Sequence, residues 1–168
     1  MNSTLENKVA IVTGAGGESG SAITLALAEA GARVVVNDIN PDRAERAAAA
    51  IREKGYEALV ITADISNRFQ CVNLIESTRE RWGGIDILVN NATVRPSAPI
   101  LKMDEWAWQL CFDVNLKGVF FMSQLAGRVM VDENQERGWV IVNSGSQSGD
   151  DIPDTGLAAY AASKAGLE

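Results

Sequence analysis

The sequence predicts an α/β fold, an open and doubly wound sheet of parallel strands. Three observations predict it. Apolar runs of strand length alternate with helix-length stretches rich in Ala and Leu or in charge. Glycines and one Asn-Pro pair punctuate the boundaries. The chain has 168 residues, 46% hydrophobic and 22% charged, with no linker, repeat or low-complexity tract, which suits one domain with a sizeable core. Right-handed crossovers between parallel strands place helices on both faces of such a sheet.

Taken in order, Val9–Thr13 is the first strand, and Ala22–Ala30 is a helix ended by Gly31, a residue suited to the left-handed turn. Arg33–Asn37 is the second strand. Asn40-Pro41 reads as an N-cap with proline at the first helical position, and that helix runs to about Lys54, before Gly55. Ala58–Thr62 is the third strand. Ser66 caps a helix reaching about Trp82, which Gly83-Gly84 ends. Ile85–Asn90 is the fourth strand. Asp104 to about Val131 is helical with an interruption near Asp113, Trp139–Asn143 is the fifth strand, and a last helix starts at Tyr160.

Composition excludes several function classes. Fifteen Lys+Arg against 22 Asp+Glu give a net charge of −7, the wrong sign for a nucleic-acid partner. No His is present, so His-ligated metal sites and His-based triads are excluded. Cys71 and Cys111 are too few for a disulfide framework or zinc site and read as buried apolar residues of a reducing compartment. No apolar run approaches the roughly 20 residues of a membrane helix. The polar N-terminus lacks the basic start of a secretory signal, so a cytoplasmic location with no membrane partner is expected. Trp106, Trp108 and Trp139 read as core or interface anchors.

Ligands of open parallel sheets bind beyond the carboxyl ends of the strands. The first strand ends in Thr13-Gly14-Ala15-Gly16-Gly17-Glu18-Ser19-Gly20 and runs into a helix. Glycines there allow a tight turn and close approach of backbone N–H groups to phosphate, and the helix N-terminus adds partial positive charge. No Walker lysine follows Gly20. The pattern is that of a Rossmann-like dinucleotide site, with Gly14, Gly16, Gly17, Ser19 and Gly20 as its cradle. Asp38 ends the second strand, 18 residues after Gly20. A carboxylate there accepts hydrogen bonds from ribose hydroxyls and repels a 2′-phosphate, which favours NAD over NADP. Asp64, with Ile65 beside it, ends the third strand and reads either as a contact to adenine or as a turn residue.

These pieces, with Asn90-Asn91-Ala92, Asn115, Ser146 and Tyr160-Ala-Ala-Ser-Lys164 in this order, make the chain resemble a short-chain dehydrogenase/reductase. Tyr-x-x-x-Lys alone recurs by chance, whereas the ordered set is specific. The resemblance implies hydride transfer between a nicotinamide and an alcohol or ketone. It implies Tyr160 as general acid/base, Lys164 as its partner and a holder of the nicotinamide ribose, Ser146 as the group that positions the substrate oxygen, and Asn115 as the anchor of a relay water. Asn90 and Ala92 are expected to support the cofactor pocket. A free phenol titrates near 10, so acid/base work near neutral pH needs a nearby cation. An ammonium about 4 Å away is worth about 4 kcal/mol at an effective dielectric of about 20, and Lys164 lies one helical turn from Tyr160.

Three departures from the family pattern stand out. Glu18 occupies the place of the middle glycine, bringing a side chain and a like charge toward the pyrophosphate, and Ser19 follows where Ile is usual. Thr93 replaces the glycine after Asn-Asn-Ala. The chain ends at Glu168, four residues past Lys164, so a single NAD-binding domain lacking its C-terminal strands and substrate lid is expected. A 3-oxoacyl-thioester reductase and a sugar or polyol dehydrogenase both fit. The resemblance further implies a homodimer or homotetramer. The alternative is a catalytically impaired relative that serves as a binding or scaffold subunit, which Glu18 and the early end favour.

Overall fold

The computed structural model describes residues 4–134, 138–146 and 156–167. Its elements are β1 (Val9–Val12), α1 (Glu18–Glu29), β2 (Arg33–Asp38), α2 (Pro41–Glu53), β3 (Ala58–Thr62), α3 (Arg68–Trp82), β4 (Ile87–Asn90), α4 (Glu105–Phe112), α5 (Val119–Glu133), β5 (Val140–Asn143) and α6 (Ala158–Ala165). A 3₁₀ turn covers Ile100–Lys102, and a π-helical segment, Asp113–Gly118, joins α4 to α5. The five strands are all parallel, in the order β3-β2-β1-β4-β5. This is the predicted Rossmann-like doubly wound α/β architecture.

Period-two alternation divides the core between two faces. Ala10, Val12, Val34, Val36, Ile87 and Val89 pack with α1 and α2 through Ala28, Ala44, Ala48 and Ile51. Their neighbours Ile11, Val35 and Leu88 pack on the other face with Leu74 and Ile75 of α3 and Met122, Ala126 and Met130 of α5. A fully buried Ile or Leu contributes about 1.5–3 kcal/mol, so strands apolar on both sides are held strongly in register. Register aligns Ala10 with Ile87 and Val34 with Ala58. On β5, Ile141 packs against the α3/α5 side, while Val140 and Val142 stay 46% exposed on the other.

Local chemistry agrees with the expected punctuation in most places. Asn40 Oδ1 accepts from Arg43 N at 2.9 Å ahead of Pro41, and Gly31 takes φ 101° after α1. The α3 cap is Asn67, whose Oδ1 accepts from Phe69 N and Gln70 N, rather than Ser66. Asp64 captures Ser66 instead, accepting from its N–H and its hydroxyl. Trp106 is 71% exposed and Trp108 and Trp139 are also exposed, so none of the three is a core residue of this chain. Both cysteines are free and buried. Among the described residues no helix is long and apolar enough to cross a membrane.

Candidate active site

The carboxyl ends of β1, β2, β3 and β4 open into one cleft of about 370 Å³. Gly14, Gly17, Ser19 and Gly20 line it from the first loop, Asp38 from β2, Asp64 and Ile65 from the loop after β3, and Ala92 from the loop after β4. Thr13 ties the first and last of these together. Its hydroxyl accepts from Asn91 N at 3.0 Å and Ala92 N at 3.1 Å, and Asn91 Nδ2 donates to the carbonyls of Thr13 and Gly14. The resulting approach is so close that glycine is required. Gly14 sits at φ +62°, and a Cβ on it would lie 2.7 Å from Ala92 Cα. A Cβ on Gly20 would lie 2.3 Å from the Gly14 oxygen.

Asp38 is almost fully buried at the rim of this cleft. Its Oδ2 accepts from Gly16 N at 3.1 Å, and its Oδ1 accepts from Asn40 N at 2.9 Å and from Arg43 at 3.0 Å. Gly16 thus serves the cleft indirectly, by holding the carboxylate. Arg43, half exposed on the first turn of α2, also lines the cleft. The N-cap of α1, Gly17, makes no side-chain capping bond, so the first-turn N–H groups of α1 stay available to an anion. Glycine backbone pressed against the loop after β4, an uncapped helix start and a rim carboxylate fit a dinucleotide. Glu18 is the discordant residue: it opens α1, is exposed and lines the cleft. Its charge favours the helix dipole but opposes a phosphate at the same place.

A second cluster lies beside the cleft. The π-helical segment carries fully buried Asn115. Asn115 Oδ1 accepts from Val94 N at 2.8 Å and from the Thr93 hydroxyl at 3.1 Å. Its Nδ2 donates to Val94 O at 2.9 Å and to Ser163 Oγ at 3.0 Å, and Ser163 Oγ donates to Tyr160 O at 2.8 Å. Tyr160 and Lys164 share a face of α6, with Lys164 Nζ 5.9 Å from the phenol ring centroid. That ammonium donates to Ser144 O at 2.7 Å, and burial holds it below the usual lysine range. Burial likewise pushes up the Cys111 thiol, 3.6 Å from Ser163 Oγ. Ser146 is half-buried, two residues beyond the carbonyl that takes the lysine.

Thr93 and Val94 line the cleft and are also the residues that Asn115 grips. Cleft and Tyr160–Lys164 pair therefore share one stretch of backbone at the same rim of the sheet. The departure at Thr93 also gains an explanation, since its hydroxyl adds a bond to Asn115 that glycine lacks.

Asn90 stands apart from the other expected cleft residues. Its side chain turns to Ser123 Oγ and Asn143 Oδ1, at 3.0 and 2.9 Å, and Asn91 lines the cleft instead. Strand parity carries that signal: Leu88 faces α3 and α5, so Asn90, two residues on, shares its side. Thr13, Arg43 and Ser163 escape sequence reading because their partners are distant in the chain or belong to a different motif.

The family model described as short chain dehydrogenase matches residues 8–168. Galactitol 2-dehydrogenase from Agrobacterium fabrum (strain C58) is 39% identical over 163 residues, 97% of this chain and 61% of that protein. A crystal structure of NAD⁺-bound xylitol dehydrogenase superposes with TM-score 0.90 at 33% identity, covering 97% of this chain and 62% of that one. A gluconate 5-dehydrogenase from Burkholderia cenocepacia, solved with NADP and tartrate, gives TM-score 0.87 at 34% identity, covering 99% and 64%. The chain thus spans somewhat under two-thirds of the length of these relatives. By that match over all but its first residues, the chain belongs to the short-chain dehydrogenase/reductase family.

Proposed function

We propose that the chain carries the cofactor site and the acid/base groups of an NAD(H)-dependent oxidoreductase that interconverts a secondary alcohol and a ketone. The carrying observation is the shared Thr93–Val94 backbone, which joins the glycine-lined cleft to the Tyr160–Lys164 helix through Asn115 and Ser163. A nicotinamide cofactor, when bound, accepts or supplies the hydride. Tyr160 Oη takes the hydroxyl proton in oxidation and returns it in reduction. Lys164, fixed on Ser144 O, keeps a cation beside the phenol ring. Ser146 orients the substrate oxygen. Asn115 holds the Thr93–Val94 floor and α6 in one arrangement and stands where a relay water is anchored.

Asp38 supports NAD over NADP, because its buried carboxylate offers acceptors to ribose hydroxyls and a like charge to a 2′-phosphate. Exposed Trp106, Trp108 and Phe120 on α4 and α5 support association with a second copy. Glu18 favours a second reading, a catalytically impaired subunit, because it sets a carboxylate in the cleft.

Titration with NADH, followed by fluorescence, separates the two readings. Saturable binding with turnover that Tyr160→Phe abolishes at nearly unchanged cofactor affinity is expected. Turnover retained in Tyr160→Phe rules out the assigned acid, and no binding of NADH favours the impaired subunit.

A further inference from the structure

We infer that Arg95 is an anion-binding residue of the substrate site, so that the alcohol or ketone handled beside Tyr160 carries a carboxylate close to its reacting carbon. The inference rests on Tyr160 being the proton-transferring group. Arg95 lies between β4 and the 3₁₀ turn, is exposed, and places Cζ 5.5 Å from the Tyr160 ring centroid. The backbone around it is pinned on both sides. Both polar groups of Val94, the preceding residue, are bound to Asn115, and Ala98 N donates to Gly156 O at 3.0 Å, just ahead of α6. Arg95 and Tyr160 are therefore held together by the same hydrogen-bonded frame, with Asn115 and Ser163 as its inner members.

Position sets Arg95 apart. Arg33, Arg43, Arg52 and Arg79 each pair with a carboxylate, whereas among the described residues Arg46, Arg68, Arg81, Arg95 and Arg128 form no ion pair, and of these five Arg95 is the one that lies over the Tyr160 ring. Lys164, the other cation near the phenol, is buried and spent on Ser144 O. An exposed guanidinium over a ring gains little from the stacking alone. Its planar fork of donors matches one carboxylate in bidentate geometry. A single guanidinium suits a carboxylate better than a phosphate dianion, which calls for more donors.

The test uses two secondary alcohols of equal chain length, 3-hydroxybutyrate and 1,3-butanediol, which differ in a carboxylate against a hydroxymethyl group. In the protein with NAD⁺, the wild type is expected to prefer the acid in kcat/KM. Arg95→Gln is expected to lower the ratio of acid to diol at least tenfold, and Arg95→Lys to restore part of it. A second readout needs no turnover: 3-hydroxybutyrate, but not the diol, is expected to protect Arg95 from phenylglyoxal, with the adduct mapped by mass spectrometry. No preference for the acid, or a ratio unmoved by Arg95→Gln, overturns the inference. So does a larger effect of the substitution on glycerol 3-phosphate than on 3-hydroxybutyrate. Protection of Arg95 by the acid without oxidation of either alcohol leaves the anion site standing and sinks the dehydrogenase reading instead.

Discussion

Replacing Asn115 with alanine removes the side chain that holds the cleft and α6 in one frame. The amide is fully buried and makes five hydrogen bonds, with Val94 N, Val94 O, Thr93 Oγ1, Ser163 Oγ and Cys111 Sγ. Each intramolecular hydrogen bond is worth about 1 kcal/mol net, and a buried partner left unsatisfied costs about 1–3 kcal/mol. Water can reach part of the emptied space and offset some of the loss. The expected destabilisation is about 3–5 kcal/mol, a large share of the roughly 5–15 kcal/mol typical of a folded domain. Urea unfolding followed by circular dichroism measures it. Amide exchange supplies the local readout, because the Val94 N–H loses its acceptor and is expected to exchange faster than strand amides such as Val12. A loss of less than about 1 kcal/mol, or unchanged protection at Val94, refutes the claim that this amide carries the frame.

Two further outcomes follow from charges in and beside the cleft. Glu18→Gly removes a carboxylate from the phosphate end. At about 6 Å and an effective dielectric of about 60 the repulsion is about 1 kcal/mol, so NADH is expected to bind about fivefold tighter in a fluorescence titration. An unchanged or looser dissociation constant counts against it. Burial lowers the Lys164 pKa in the folded protein relative to the unfolded chain. Below the folded value the ammonium is charged in both states and the full burial penalty is present. As pH rises from that value toward the unfolded one, near 10.4, the unfolded chain binds more protons and folding gains stability. Urea midpoints of the wild type and Lys164→Met are therefore expected to change in the wild type's favour as pH approaches 10. Parallel pH profiles would contradict a buried, destabilised ammonium.

The alternation of apolar runs with helical stretches was enough to read the strands and the two-faced packing, because both follow from patterns local to the sequence. The break near Asp113 was legible too, but its use was not. The segment is π-helical, and it carries Asn115 in contact with Val94 and Ser163, partners 21 and 48 residues away. No local rule announces such pairings. Ser66 and Asn67 are both good caps by composition, and only the capture of Ser66 by Asp64 decides between them. Between core and interface for the tryptophans, their exposure removes the core, because periodicity marks an apolar face without saying whether this chain covers it.

The pairing of Thr93 with Asn115 shows how a departure from a family pattern gains meaning only from its neighbours. Glycine at that position would leave Asn115 Oδ1 with Val94 N as its donor, whereas the threonine hydroxyl supplies a second at 3.1 Å. The substitution thus reinforces the junction between the two halves of the site. Glu18 does the opposite at the other end of the same cleft, where no partner among the described residues neutralises its exposed carboxylate. A chain shaped only by loss of function has no reason to strengthen the frame around the proposed acid/base pair. The tightened junction therefore supports the proposed reading of retained chemistry over that of an impaired subunit, and the NADH titration of Glu18→Gly measures what the carboxylate costs.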